Sequence, residues 1–192
     1  MNIGIACRYD KGRYYLNDSY LSYFKKFSNT IEILNRKSKI DNIDVVIIPG
    51  GFDIDPKYYN QTNSTSFNIN SYNDRLDFKL IALSIILNKK IIGICRGIQS
   101  LNVFFNGSLK QDIYFHNKNN HFVNFNNKYQ LLNSFHHQSI NNLGYNLKII
   151  GLSVDGEIEA ILYKKILGVQ FHPELCHTPN IDKFLFDFIN EA

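Results

Sequence analysis

The chain has only three cysteines in 192 residues, and Cys7, Cys95 and Cys176 show no paired spacing. That excludes a disulfide framework and a CxxC zinc site, and it predicts a reducing, cytoplasmic setting. Long apolar runs are also missing. The longest, Leu80 to Leu87, is interrupted by Ser84 and is far too short to span a bilayer. Met1 to Cys7 lacks the charged start and extended apolar core of a secretion signal, so an unprocessed chain without a membrane partner is expected. Basic residues outnumber acidic ones by 21 to 17 but are scattered, and with no basic stripe a nucleic-acid partner is not expected.

What is present suits a sizeable core. Hydrophobic residues make up 44% of the chain, and the length predicts a single domain over residues 1–192. Asn2 to Cys7, Ile31 to Leu34, Val45 to Ile48, Ile91 to Ile94 and Ile166 to Phe171 read as strands. Helical segments lie between and after them. Tyr14 to Phe27 repeats Leu16, Tyr20, Tyr23, Phe24 and Phe27 at helical spacing; Phe78 to Leu87 follows a capping Asp74; Ile98 to Phe105 and Ile181 to Ile189 complete the set. This alternation predicts an α/β fold with a doubly wound, mostly parallel sheet, whose chemistry gathers at the carboxyl ends of the strands.

Two regions break the alternation. Leu147 to Val154 and Glu157 to Leu162, joined by Asp155-Gly156, read as a small β-hairpin excursion without chemistry of its own. Asn60 to Asn73 is a polar run too long for a simple connection, hence a mobile segment or a loop over the site. Phe115 to Phe125 reads as a further loop in which His116 and His121 are surface residues.

The residues with chemical potential sit at the predicted strand ends. Gly93-Ile94-Cys95-Arg96-Gly97 is a strand-turn-helix elbow of the G-x-S-x-G kind with cysteine in the serine position. The turn would hold the Cys95 sulfur at a helix N-terminus, where unpaired N–H groups favour a thiolate and can receive an oxyanion. Alone, the pattern also suits a buried structural cysteine. His172-Pro173-Glu174, at the end of the last strand, is the second signal. Residues i and i+2 of an extended segment share a face, so Glu174 can hold one nitrogen of His172 while the other faces a thiol.

Together with Pro49-Gly50-Gly51-Phe52-Asp53-Ile54-Asp55-Pro56, Gly168-Val169-Gln170-Phe171-His172-Pro173-Glu174 and Ser134-Phe135-His136-His137-Gln138, the elbow resembles the class I glutamine amidotransferase-like superfamily. Within it the γ-glutamyl hydrolase branch is the most similar. The resemblance implies Cys95 as nucleophile, His172 as general base and acid, and Glu174 as the orienting carboxylate. It implies backbone N–H groups of Gly51 and Arg96 as an oxyanion hole, and Gln99, Ser134, His136 and Gln138 as the pocket for a γ-glutamyl group. His136 and His137 are adjacent, so at most one of them should face the ligand.

The implied activity is cysteine-dependent hydrolysis of a γ-glutamyl amide without a cofactor, on a small-molecule substrate. A partner synthase enters only under the alternative, a glutaminase that supplies ammonia, and a homo-oligomer is compatible with either. A metal site from Cys176, His177 and the His136-His137 pair has no recognised ligand spacing, so no metal is expected. The leaving group should meet the segments 56–73 and 116–128, which contain Lys57, Tyr58, Tyr59, His116, Lys118, His121 and Lys128. Cations and aromatics of this kind suit an anionic or nucleotide group. By resemblance, γ-glutamyl-CDP-amidate, as in capsule phosphoramidate synthesis, is the sharpest candidate substrate, followed by γ-glutamyl-γ-aminobutyrate.

Overall fold

A computed structural model describes residues 1–176 and 178–191, with the backbone alone at Lys118. The chain opens with β1 (Asn2–Ala6), a short hairpin of β2 (Arg8–Asp10) and β3 (Arg13–Tyr15), and α1 (Asp18–Phe24). It continues through β4 (Thr30–Leu34), β5 (Val45–Ile48), α2 (Ser71–Ile86), β6 (Lys90–Ile94) and α3 (Arg96–Phe104). The second half holds β7 (Leu109–Lys110), β8 (Asn117–Phe125), β9 (Lys128–Phe135), β10 (Ser139–Ile140), β11 (Lys148–Ser153), β12 (Ile158–Tyr163), β13 (Ile166–Val169) and α4 (Pro179–Asn190).

Nine strands form one sheet in the order β4-β1-β5-β6-β13-β12-β11-β8-β9. The first five are parallel and the last four antiparallel, so this is the expected α/β architecture with a larger antiparallel wing. The central strands are buried on both faces and divide their side chains by alternation. Val46, Ile48 and Ile91 pack with Leu76, Leu80 and Ile98 of α2 and α3. Val45, Ile47, Ile92 and Ile94 pack with Tyr20, Phe24, Ile181 and Leu185 of α1 and α4. Period-two alternation in a wholly apolar strand is what lets one β-branched run serve two cores.

Three expectations are corrected. Tyr14 belongs to β3 and not to a helix, because Lys11 and Gly12 both take positive φ (45° and 84°) and turn the chain into a hairpin. Helix α2 starts earlier than read and is capped by Asn70, whose side chain accepts from the N–H groups of Tyr72 and Asn73; Asp74 lies inside the helix, fully buried. Residues 117–125 are a strand and not a loop. They pair with β9 across Asn126-Asn127, both at positive φ (48° and 63°), a two-residue turn of the kind asparagine favours. The hairpin at 147–162 forms as read, but β8 and β9 extend it to four strands.

No helix among the described residues is long and apolar enough to cross a membrane. The polar run 60–70 is fastened down. Gln111 accepts from the Ser64 N–H at 2.8 Å and donates to the Thr62 carbonyl, while Asp53 accepts from the Phe67 N–H at 2.8 Å. That segment therefore lies over the turn that follows β5.

Candidate active site

Three adjacent parallel strands end side by side. In register, Ile48 of β5 is opposite Gly93 of β6, and Ile94 of β6 is opposite Val169 of β13. One to three residues beyond these ends lie Cys95, Gly50 and His172. Cys95 sits at the N-terminus of α3 with φ 53° and ψ −106°, a conformation that non-glycine residues adopt only when the surroundings impose it. Gly97 explains part of that tightness, since a Cβ there would lie 2.1 Å from the Ile48 carbonyl oxygen. The cysteine is nearly buried, with 7% of its surface exposed.

His172 Nδ1 lies 2.6 Å from Glu174 Oε1. The pairing arises differently from the extended-segment reading: Pro173–Leu175 is a single 3-10 turn, and the turn brings Glu174 back under the imidazole. With Nδ1 engaged, Nε2 is the nitrogen left for Cys95, which lies close enough to act on the charge of the ring. Burial alone would lower the affinity of His172 for a proton, but the Cys95 sulfur and the Glu174 carboxylate outweigh it and push the imidazole up to about 10.

The turn after β5 is held from two sides. A Cβ on Gly50 would lie 2.9 Å from His172 Cε1 and 3.7 Å from Cys95 Cβ, so only glycine lets this backbone pass so close to both. The Gly50 N–H donates to the Tyr20 hydroxyl at 2.9 Å, and the same hydroxyl is 3.5 Å from His172 Nδ1. Burial, followed by the Glu174 charge, raises the Tyr20 phenol well above its ordinary value and keeps its proton in place. From below, Arg8 donates to the Gly50 carbonyl at 2.7 Å and to the Pro49 carbonyl.

Arg8 begins a buried chain of charges: Asp77 pairs with Arg8 at 2.6 Å and with Arg96, and Arg96 pairs with Asp74 at 2.6 Å. A Cβ on Gly51 would lie 3.1 Å from Arg8 Nε and 3.2 Å from Arg96 Cδ, so Gly51 sits directly over both arginine side chains. The Arg96 guanidinium is thus committed to α2, while its backbone N–H lies in the first turn of α3.

The structure places the remaining candidates deeper. Gln99 donates to the Gln138 carbonyl at 3.2 Å and to Gln170 at 3.3 Å. Gln138 donates to Ser66 and to the Gln111 carbonyl, leaving its buried Oε1 without a hydrogen-bond partner. The Ser134 hydroxyl is fully buried and donates to the His116 carbonyl at 2.6 Å. His136 turns toward Glu159, whereas His137 turns the other way, to Asp53 and Asp112, with its ring stacked on Phe67.

Several candidates for the leaving group prove to be otherwise engaged. Lys57 pairs with Asp55, Tyr58 packs on Phe78, Tyr59 is buried, and His116 is buried rather than at the surface. His121 also points inward, toward Glu159. His177 and the Lys118 side chain lie outside the described residues. Sequence reasoning missed Arg8, Tyr20 and Asn133. Asn133 donates to the His172 carbonyl and accepts from its N–H, both at 2.8 Å, clamping the backbone of that residue. A cleft of about 210 Å³ adjoins the group, lined by Tyr15, Asn17, Tyr20, Gly51, His172 and Glu174.

Comparison with known proteins shows the family and the fold. A family model described as peptidase C26 matches residues 14–132 and 125–174. The chain is 37% identical to protein NtpR of Enterococcus hirae, over 78% of this chain and 74% of that protein. It is 30% identical to the glutamine amidotransferase-like protein YvdE of Lactococcus lactis, over 90% and 86%. Among solved structures, a glutamine amidotransferase from Thermotoga maritima superposes with a TM-score of 0.67 at 17% identity, covering 90% of this chain and 76% of that one, a likeness of fold.

Proposed function

The chain belongs to the peptidase C26 family of the class I glutamine amidotransferase-like superfamily, whose chemistry is amide hydrolysis, and from that premise we propose that it cleaves the amide bond of a γ-glutamyl conjugate through Cys95. The observation that carries the reading is the imidazole of His172, held by Glu174 at 2.6 Å and standing so close to Cys95 that a single Cβ on Gly50 would touch both residues.

In this reading the Cys95 sulfur attacks the γ-carbonyl carbon, and the oxyanion forms toward the backbone N–H groups of Gly51 and Arg96. His172 gives its proton to the amine nitrogen, the C–N bond breaks, and a γ-glutamyl thioester remains. Water then attacks the thioester carbonyl as His172 takes its proton. The C–S bond breaks, and glutamate leaves with the thiolate restored. Gln99, which donates to the Gln138 backbone carbonyl, and Gln138 itself serve the glutamate end, and the unpartnered Gln138 Oε1 suits an ammonium donor. Ser134 and His136 then shape the pocket through the backbone they hold.

The leaving nitrogen has to face His172, and His172 lines the cleft beside Tyr15. Tyr15 belongs to the β2–β3 hairpin, which also exposes Lys11, Arg13 and Tyr14. An anionic, ring-bearing leaving group suits that hairpin, and γ-glutamyl-CDP-amidate is the substrate we put first, with γ-glutamyl-γ-aminobutyrate next. A second reading, glutamine hydrolysis for a partner synthase, is favoured by the similarity to the carbamoyl phosphate synthase small chain of Clostridium perfringens, 34% identical over 54% of this chain and 31% of that protein. Glutamate release measured in parallel on the three substrates separates them. Turnover of γ-glutamyl-CDP-amidate well above glutamine supports the first reading. A preference for glutamine that rises when a synthase is added supports the second.

A further inference from the structure

The antiparallel wing contains a buried cluster whose side chains, apart from the backbone-holding His136, play no part in the hydrolytic reading. His116 enters from just before β8, His121 from within it, His136 from just after β9 and Glu159 from β12. Glu159 Oε1 lies 3.5 Å from His116 Nδ1, 3.4 Å from His121 Nε2 and 3.5 Å from His136 Nε2. His116 Nδ1 and His136 Nε2 are 3.4 Å apart. The ligating atoms of His116, His121 and Glu159 all lie within 4.8 Å of one another. Zinc–nitrogen bonds of 2.0–2.1 Å in a tetrahedron require donor atoms about 3.3–3.4 Å apart, close to the separations of Glu159 from each histidine and of His116 from His136.

The surrounding hydrogen bonds orient the donors. His116 Nε2 lies 2.9 Å from Asp155 Oδ2, so its N–H is directed outward and the Nδ1 lone pair inward. His136 Nδ1 lies 2.9 Å from the Gln138 carbonyl, so its N–H is engaged there and the Nε2 lone pair points inward. This carboxylate-or-carbonyl support is the usual second layer of a histidine metal ligand. Two lone pairs and a carboxylate oxygen then converge on one point. Glu159 is fully buried, and neither of its oxygens nor either ring nitrogen of His121 has a hydrogen-bond partner. An ionised carboxylate so placed is costly unless a cation completes it.

We propose that His116, His121, His136 and Glu159 bind one divalent transition-metal ion, zinc by the nature of the donors, as a closed structural site. Four protein donors leave no open position for a reacting water, which is the mark of a structural rather than a catalytic centre. The bound ion ties the β8–β9 hairpin to β12. Its effect reaches the active site by two routes, through Asn133 of β9, which clamps the His172 backbone, and through the Gln138 carbonyl, which His136 shares with Gln99.

The test is metal analysis of the chain purified without a histidine tag, alongside Glu159→Gln and His121→Ala. The expected result is about one zinc per chain in the parent, retained through dialysis and reduced at least tenfold in both variants. In the parent, cobalt substituted for zinc should give the strong visible absorption of a four-coordinate site without a thiolate charge-transfer band. That measurement decides the matter even where a variant fails to fold. Failure of the parent to retain zinc after isolation and zinc titration would overturn the proposal and leave a proton-bridged histidine–carboxylate cluster. A thiolate band, or zinc unchanged in well-folded variants, would also overturn it by placing the metal elsewhere.

Discussion

The two ends of the sheet solve the problem of buried polar groups in opposite ways. At the parallel end, charges are stacked in depth: Asp74, Arg96, Asp77 and Arg8 alternate in sign beneath the turn after β5, and nearly every group has a partner. At the antiparallel end, three histidines and Glu159 converge; His116 and His136 have their partners on the outside, while His121 and Glu159 have no hydrogen-bond partner. The first arrangement is a complete scaffold that positions reactive groups above it; the second is complete only with a cation in its middle. A buried polar cluster therefore speaks for stability or for ligand binding according to where its unpaired atoms point.

The contrast can be broken most forcefully at the parallel end. Cys95→Ala and His172→Ala should each lower turnover by at least roughly three orders of magnitude with the melting temperature little changed, as steady-state kinetics beside thermal unfolding will check. Loss of activity accompanied by unfolding would instead place both residues in the scaffold. Asp77→Asn should do the reverse. Two buried arginines lose their shared counter-charge, and urea unfolding should register a loss of about 3–5 kcal/mol.

Glu174→Gln sharpens the division of labour. The thiol and the base still meet but align poorly, so kcat should fall about 100-fold, less than for Cys95 or His172, with KM nearly unchanged. Activity equal to the parent would remove Glu174 from the mechanism. Asn133→Ala probes the join between the two ends, because this wing residue holds the His172 backbone; it should cost about 1–3 kcal/mol of stability and lower kcat more than it changes KM.

The last prediction concerns pH. His172 binds its proton more tightly folded than unfolded, so the stability it contributes is complete below 6.5 and is lost as pH rises toward about 10. Alkaline unfolding of the parent should show this loss across that window, and His172→Gln should not.

These two ends also differed in how far the sequence revealed them. Cys95, Gly51 and His172 each follow a short apolar strand, and each motif is local, so spacing and resemblance were enough to bring them together before any fold was known. Their support was not legible, because Arg8 and Asp77 are 69 residues apart and nothing in either neighbourhood announces the other. The wing was misread for a physical reason. Its strand β8 is rich in asparagine and buries only part of one face, so His121, Val123 and Phe125 alternate inward too weakly to outweigh the polar residues between them. The turn signal, Asn126-Asn127, was there to be read. Glu159 carried no signal at all, being one acid in an apolar hairpin strand.

The central claim is that Cys95 carries a γ-glutamyl group during turnover. Its most direct test is to mix the protein with γ-glutamyl-CDP-amidate, quench in acid during steady turnover, and map the digested peptides by mass. The account predicts one glutamyl adduct on the peptide containing Cys95, absent from Cys95→Ala and discharged by hydroxylamine. Turnover without an adduct on any cysteine, or an adduct on Cys7 or Cys176 instead, would contradict it.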